Sequence, residues 1–263
     1  MRIITLALII LSASSAFGQR QTADDSAYAN IEIPRSPLRW IINTPTAGML
    51  PRGAFDLDLR TFSAGGLQGT LGIGLMNRFS IGLSYGASSV LTDTMPYWNP
   101  RLEFQMKLRL LEEGESFPGI AVGYSSQGYG PYDVDKKRFQ VKSPGFYLVF
   151  SRNLKIYQNP AGIHWGINYS LENKVDSDPD AFLGLNADLG NDMLYLAEYD
   201  FAFNDNRTDG IYGRGRGYLN MGVVWYLTDG LSLELDLKNL LRNRRGASAI
   251  DREARLVYVE FFY

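Results

Sequence analysis

The chain has 263 residues, with 27 Gly, 16 Tyr, 14 Phe, no Cys, 21% charged residues and a formal net charge of −2. Without Cys there is no disulfide and no lipid attached through an N-terminal cysteine, and the near-neutral balance carries no nucleic-acid signature. Beyond the first residues no apolar run approaches the ~20 residues of a spanning helix, so any membrane crossing has to be made by strands.

Residues 1–18 begin with Met1-Arg2 and an apolar run from Ile3 to Leu11, followed by small residues through Ser12, Ser15, Ala16 and Gly18. One positive charge, a short apolar stretch and a small-residue end are the parts of a secretory signal peptide, cleaved after about Gly18. Residues 19–53 are expected to form a periplasmic, extended N-terminal segment. Its first part, Gln19 to Ile33, is polar and aperiodic, and Pro34, Pro37, Pro45 and Pro51 then exclude helix. Trp40, Ile41, Ile42, Met49 and Leu50 make this stretch too apolar for a free tail. It is predicted to fold against the mouth of the following domain or to enter its lumen as a plug.

Residues 54–263 alternate apolar and polar side chains in twelve predicted strands. In the first, Phe55, Leu57 and Leu59 share a face; in the second, Leu67, Leu71, Ile73 and Leu75 oppose Gln68, Thr70, Gly72 and Gly74. The third sets Phe79, Ile81, Leu83 and Tyr85 against Ser80, Gly82 and Ser84, and the fourth sets Leu102 through Leu110 against Glu103, Gln105, Lys107 and Arg109. The fifth runs around Ile120 to Tyr124; the sixth, Gly145 to Ser151, is apolar on both faces. The seventh places Ile163, Trp165, Ile167 and Tyr169 against His164 and Asn168, the eighth Leu183, Leu185 and Leu189 against Asn186 and Asp188. The ninth opposes Tyr195, Tyr199 and Phe201 to Glu198 and Asp200, the tenth Met221, Val223 and Trp225 to Asn220 and Gly222. In the eleventh, Leu231 to Leu237 alternate with Glu234, Asp236 and Lys238. The twelfth puts Val257, Val259, Phe261 and Tyr263 on the apolar face and Tyr258, Glu260 and Phe262 opposite.

Alternation alone fits a soluble β-sandwich as well as a barrel in lipid. Three features favour an all-β, transmembrane, antiparallel up-and-down β-barrel of about 12 strands. Tight connections at Met76-Asn77-Arg78, Gly190-Asn191 and Thr228-Asp229-Gly230 alternate with long ones from Ser126 to Ser143, Asn204 to Gly217 and Asn239 to Glu253. These correspond to short periplasmic turns and longer extracellular loops. Phe79, Trp165, Trp225 and Tyr263 fall at one end of their strands and Tyr85, Trp98, Tyr124 and Phe203 at the other, as two aromatic girdles would. The polar face carries Asp56, Asp58, Arg60, Glu103, Lys107, Arg109, Glu172, Asp188, Glu198, Asp200, Glu234, Asp236, Lys238 and Glu260, tolerable in a lumen and costly against lipid. The even strand count puts both termini on the periplasmic side of the outer membrane.

Residues 40–150 resemble the YjbH-like outer-membrane proteins associated with exopolysaccharide production. The resemblance runs through Ile42-Asn43-Thr44-Pro45-Thr46-Ala47-Gly48-Met49-Leu50-Pro51-Arg52-Gly53, Asn99-Pro100-Arg101 and Lys107-Leu108-Arg109-Leu110-Leu111-Glu112-Glu113-Gly114. It continues in Pro118-Gly119-Ile120-Ala121-Val122-Gly123-Tyr124 and Gly128-Tyr129-Gly130. Members of that family are longer, so this chain corresponds to an N-terminal barrel alone. The resemblance implies an accessory channel or scaffold in exopolysaccharide secretion or assembly, and transfers no catalytic residue.

His164 is the sole histidine, and Ser170 and Glu172 lie six and eight residues away on its strand. At ~3.3 Å per residue that separation builds no nucleophile–base pair within one strand. No enzyme, cofactor or metal cluster is expected. The carboxylates fit a cation-preferring pore or a salt-bridged filling equally; Gly72, Gly74, Gly82, Gly123, Gly166, Gly184 and Gly222 would widen the first or ease curvature in the second. Loop residues Lys136, Lys137, Arg138, Arg214, Arg216, Arg242, Arg244 and Arg245 are either solvated charge or contacts for lipopolysaccharide phosphates or an acidic polysaccharide. The expected partners are outer-membrane lipid, lipopolysaccharide, polysaccharide, and the barrel-assembly machinery through the C-terminal aromatic strand. A narrow small-solute or ion pore and a structural envelope barrel with a filled lumen remain the other two readings.

Overall fold

The computed structural model describes residues 37–156, 159–172, 176–207, 212–245 and 250–262. The expected signal peptide, the chain up to residue 36 and Tyr263 lie outside them. In chain order the strands are β1 (Ala54–Phe62), β2 (Gly66–Met76), β3 (Phe79–Ser88), β4 (Tyr97–Trp98) and β5 (Glu103–Leu111). β6 (Gly119–Ser125), β7 (Tyr129–Asp133), β8 (Arg138–Val141), β9 (Gly145–Ile156) and β10 (Asn159–Tyr169) follow. The last are β11 (Asp180–Gly190), β12 (Met193–Asp200), β13 (Tyr218–Tyr226), β14 (Leu231–Lys238) and β15 (Asp251–Phe261).

Twelve of these, all but β4, β7 and β8, form a closed antiparallel barrel in which β1 pairs with β15 and every other strand with its sequential barrel neighbours. Closure leaves no unpaired edge, the condition for strand-forming chain to sit in lipid. β4 adds to β3 through Ala87↔Trp98, and β7 and β8 make a separate hairpin. The start of β1 and the end of β15 pair as Ala54↔Phe261, so they share one end of the barrel, called here the turn end. Its connections are 77–78, 112–118, 157–158, 191–192 and 227–230. Asn191 and Asp192 both take positive φ, 52° and 61°, as the two-residue type I′ hairpin turn requires. The opposite, loop end carries 89–102, 126–144, 170–179, 201–217 and 239–250, with the tight 63–65 as the exception to its length.

Register fixes the faces. Phe55, Leu57 and Leu59 lie outside, opposite Ile73, Leu71 and Gly69 of β2, and Asp56, Asp58 and Arg60 lie inside. Leu71, Leu83, Leu108, Leu185 and Leu235 continue the outer apolar surface, and the buried side chains inside include Glu103, Lys107, Glu198, Glu234, Asp236 and Lys238. Apolar outside and charged inside is the inverse of a soluble fold, and it is the arrangement of an integral membrane barrel.

Three expectations need correction. β15 pairs Asp58↔Val257 and Phe55↔Glu260, so Val257 and Val259 face the lumen while Leu256, Tyr258 and Glu260 face outward. Glu260 is therefore not lumen-lining; it sits near the turn end and accepts the Tyr258 hydroxyl at 2.5 Å. The run from Leu256 to Phe262 is apolar on both faces, so its period assigned the faces the wrong way round, and the inward charges are Glu253 and Arg255, upstream of the predicted strand. β10 begins at Asn159, four residues before the predicted strand, which places Trp165 mid-strand, stacked on Phe150 at 5.7 Å, rather than in a girdle. Glu172 lies beyond the end of β10 in the 170–179 loop.

Replacing Leu235, 57% exposed on the outer face of β14, by Arg tests this orientation. A guanidinium titration in lipid vesicles is expected to show a loss of about 2–4 kcal/mol of unfolding free energy. A loss under about 0.5 kcal/mol, the range of a water-exposed position, would contradict it.

Candidate functional site

The lumen is occupied by the chain's own residues 38–51, which form one compact unit with the barrel. Trp40 and Pro45 form a β-bridge, Ile41 N–H donates to Thr44 O at 2.9 Å, and Thr46 N–H donates to Arg39 O at 3.0 Å. The result is a tight turn with Ile41-Ile42-Asn43-Thr44 at its tip. Such a turn has no strand beside it, so its polar backbone groups must find side-chain partners or forfeit about 1–3 kcal/mol each.

The barrel wall supplies them. Glu198 Oε2 accepts the N–H groups of Ile42 (3.1 Å), Asn43 (2.9 Å) and Thr44 (2.9 Å), and the Thr44 hydroxyl at 2.9 Å. Its Oε1 accepts Asn220 Nδ2 at 2.7 Å. Lys107 Nζ donates to the carbonyls of Arg39 (2.9 Å), Thr46 (3.0 Å) and Gly48 (3.3 Å). Arg60 donates to Ile42 O at 2.9 Å and Asn43 Oδ1 at 3.1 Å, and Tyr129 OH, from the β7 hairpin, to Asn43 O at 2.6 Å. Ser151 Oγ accepts Ala47 N–H at 2.8 Å.

Apolar contacts complete the seat. Ile41 and Ile42 are fully buried with Leu196 and Val224, and Ala47 packs with Ala121, Tyr147, Val149, Phe182 and Trp40. Two inner-face glycines are places of close approach: a Cβ on Gly184 would strike Ile41, and one on Gly74 the Pro51 carbonyl. They receive the segment instead of widening a channel. Interior cavities of about 20, 30 and 70 Å³ remain, room for no more than a few waters. The 70 Å³ cavity is at the turn-end mouth, between Leu38, Val224, Leu231 and Val259.

Most of the remaining lumen charges are paired, with residues outside the predicted lumen set; Asp236 and Asp200 are in no ion pair among the described residues. Asp56 binds Arg39 at 2.9 Å; Asp58 and Glu234 share Arg255 at 2.7 and 3.2 Å. Glu253 binds Lys238 at 2.9 Å and Arg60 at 3.6 Å, and Glu103 binds Arg101 at 2.8 Å. Asp236 is buried on the same face of β14 as Glu234, and Asp200 Oδ1 accepts Ala202 N–H at 2.8 Å. Arg109 is at the turn-end rim, with Asn77 O at 3.1 Å and Glu112 at 3.2 Å. The interior is a salt-bridged filling.

His164 does meet a serine, across strands instead of along one. Its Nδ1 is 2.7 Å from Ser151 Oγ and its Nε2 2.8 Å from Asn186 Oδ1. With Asn186 Oδ1 as acceptor, Nε2 carries the proton and Nδ1 accepts the Ser151 hydroxyl, which in turn accepts Ala47 N–H. The group is buried behind the inner segment and orients it.

Among the basic loop residues, Lys136, Lys137, Arg214, Arg216, Arg242 and Arg245 are exposed. Arg138 and Arg244 are not surface contacts. Arg138, 1% exposed, is bidentate to Asp205 at 3.0 and 3.2 Å, and Arg244 binds Asp251 and Gln140. Lys142 Nζ holds Asn204 O at 2.7 Å, and Glu172 Oε2 accepts Ser143 N–H at 2.9 Å. These contacts join loops 126–144, 170–179, 201–217 and 239–250 into a cap.

No protein-family model and no curated protein sequence matches the chain. Among solved structures, the KdgM porin superposes with a TM-score of 0.46 at 9% identity, over 80% of this chain and 99% of its own. The NanC porin gives 0.44 at 10% identity over 80% and 100%, and an outer membrane channel from Pseudomonas putida F1 gives 0.45 at 13% over 81% and 97%. Identities this low and superpositions this loose assign neither family nor function.

Burial lifts the Glu172 carboxyl to about 7, against the opposing pull of the Ser143 N–H and the Arg138 guanidinium. The folded state thus binds this proton more tightly than the unfolded chain, whose carboxyl titrates near 4.5. Its contribution to stability is complete below that value and is lost as pH rises through about 7. Proteolytic cutting within loops 126–144 and 170–179, normalised to Glu172→Gln, is expected to quicken between about pH 5 and pH 8. A pH response identical in both proteins would remove Glu172 as its source.

Proposed function

We propose that this chain is an outer-membrane barrel that acts as an accessory scaffold or channel in secretion or assembly of surface polysaccharide. In this reading both termini are periplasmic and the lumen is held shut by the chain's own segment 38–51. The observation that carries it is the hold of Glu198, Lys107 and Arg60 on that segment's backbone, each contact charge-assisted and worth about 1.5–3 kcal/mol. A permanently open small-solute pore sits poorly with such a lumen. A structural barrel whose filling never leaves is the second reading, favoured by the apolar seat of Ile41 and Ile42. The polysaccharide role draws on the likeness of residues 40–150 to YjbH-like proteins. The outer-membrane location draws on the apolar exterior, the export signal expected in residues 1–18, and β15 as the strand offered to barrel-assembly machinery. Lipid and lipopolysaccharide are its surroundings. The role is non-catalytic, since His164 and Ser151 are enclosed and committed to Ala47.

In planar bilayers the intact protein is expected to be closed and Glu198→Ala to show intermittent openings. Steady conductance by the intact protein would overturn the shut lumen, and closure in both would favour a permanent filling. A deletion strain is expected to lose capsule or matrix with small-solute uptake unchanged; an intact capsule would overturn the polysaccharide role.

A further inference from the structure

One fully buried amide ties two loops of the cap together. Asn243 has no solvent exposure, and its Oδ1 accepts the backbone N–H groups of both Arg214 and Arg216 at 2.8 Å. Its own N–H is held by Asn239 Oδ1 at 2.7 Å, and Arg245 Nε donates across to Gly213 O at 2.8 Å. Gly215 and Gly217 take φ of 75° and 63°, and Arg242 takes 52°, so the backbone turns tightly on both sides of the amide. This fixes Arg214, Arg216 and Arg242 on adjoining turns with all three exposed. Among the described residues none of the three is in an ion pair, whereas the neighbouring Arg244 is neutralised by Asp251.

The hairpin tip belongs to the same surface. Tyr212 OH donates to Asp133 Oδ2 at 2.6 Å, and its ring lies 5.2 Å from Lys136 Nζ and 4.9 Å from Arg138 Cζ. Lys136 is paired with Asp133; Lys137 is exposed. Like charges held on a preorganised platform raise the local potential, and a ligand with repeating anionic groups relieves it. Guanidinium forks match carboxylates in two-point contacts. The platform reaches from the barrel rim, where Arg216 O accepts the hydroxyl of the outward-facing Tyr199 at 3.0 Å, to the loops over the mouth. Arg244 reaches Gln140 Oε1 at 2.9 Å on the hairpin whose Tyr129 touches Asn43 in the lumen. A polymer with repeating carboxylates can engage several of these guanidinium groups along one chain.

We propose that Arg214, Arg216 and Arg242 form a binding platform for an acidic, carboxylate-bearing polysaccharide at the loop end. The ligand class rests on the polysaccharide reading above, but the contact is testable without secretion. The purified full chain in detergent is titrated with fluorescent alginate oligosaccharides, with neutral dextran and lipopolysaccharide micelles in parallel. Alginate binding is expected to weaken about tenfold or more in R214Q/R216Q/R242Q and to fall as salt passes about 0.15 M, where screening shortens to ~8 Å. R214K/R216K/R242K should bind at an intermediate level, because charge is kept and the fork is lost. Asn243→Ala, with every arginine present, should weaken binding by releasing the platform. Unchanged alginate binding in the Gln variant, or equal binding of dextran, would overturn the proposal. Tighter binding of lipopolysaccharide than of alginate, lost in the same variant, would overturn it in favour of a lipid phosphate. Intact alginate binding beside a normal capsule in the deletion strain would sink the secretion role while leaving the platform standing.

Discussion

A carboxylate inside the barrel faces three consecutive backbone N–H groups, and the interior is organised around that contact. The twelve strands satisfy their own backbone by pairing around the ring, but the turn at Ile42-Asn43-Thr44 has no ladder to join. Glu198 takes its donors, Lys107 takes three of its carbonyls, and Arg60 and Tyr129 take Ile42 O and Asn43 O. Inner-wall positions that touch the turn's side chains are apolar for the same reason: Leu196 and Val224 under the isoleucines, Tyr147 and Val149 beside Trp40 and Ala47. Polar lumen and apolar patch are two halves of one seat.

Most of the other lumen charges follow the rule that a buried ion needs an opposite partner, Asp236 being a buried carboxyl that has none among the described residues. Arg255 lies between Asp58 and Glu234, and Glu253 between Lys238 and Arg60. Asp56, Asp58, Glu103 and Glu234, carboxylates that would draw cations through an open tube, are compensated by arginines here. At the loop end the logic repeats, with Arg138 on Asp205 and Arg244 on Asp251 binding loops together before any ligand is met.

How much of this was legible depended on whether one face or two was doing work. Where the inner face was cleanly polar, as with Glu103, Gln105, Lys107 and Arg109, period 2 gave the strand and its orientation. The stretch Phe146 to Phe150 read poorly because Tyr147 and Val149 are apolar for the inserted segment while Phe146 and Phe150 are apolar for lipid. That double apolarity was itself a sign that something non-aqueous fills the lumen. β15 failed in the same way and its faces came out reversed. The prolines and apolar residues of 37–51 did announce a segment seeking a seat. Its receptors were not legible, because Glu198, Lys107, Ser151 and Asn220 converge from strands far apart in sequence. Arg138 and Arg244 looked like loop tips, since nothing near them in the chain foretells that Asp205 and the rest of the cap would enclose them.

The inner segment joins β1 directly through Pro51, Arg52 and Gly53, and Gly53 O accepts Phe262 N–H at the point where β1 meets β15. Mechanically the chain is loaded in series. A pull from ahead of residue 37 reaches the Asp56, Lys107 and Glu198 moorings first, and the barrel seam only after all three have let go. Unseating would proceed bond by bond from the turn-end mouth inward, with the wall spared until the tether is spent.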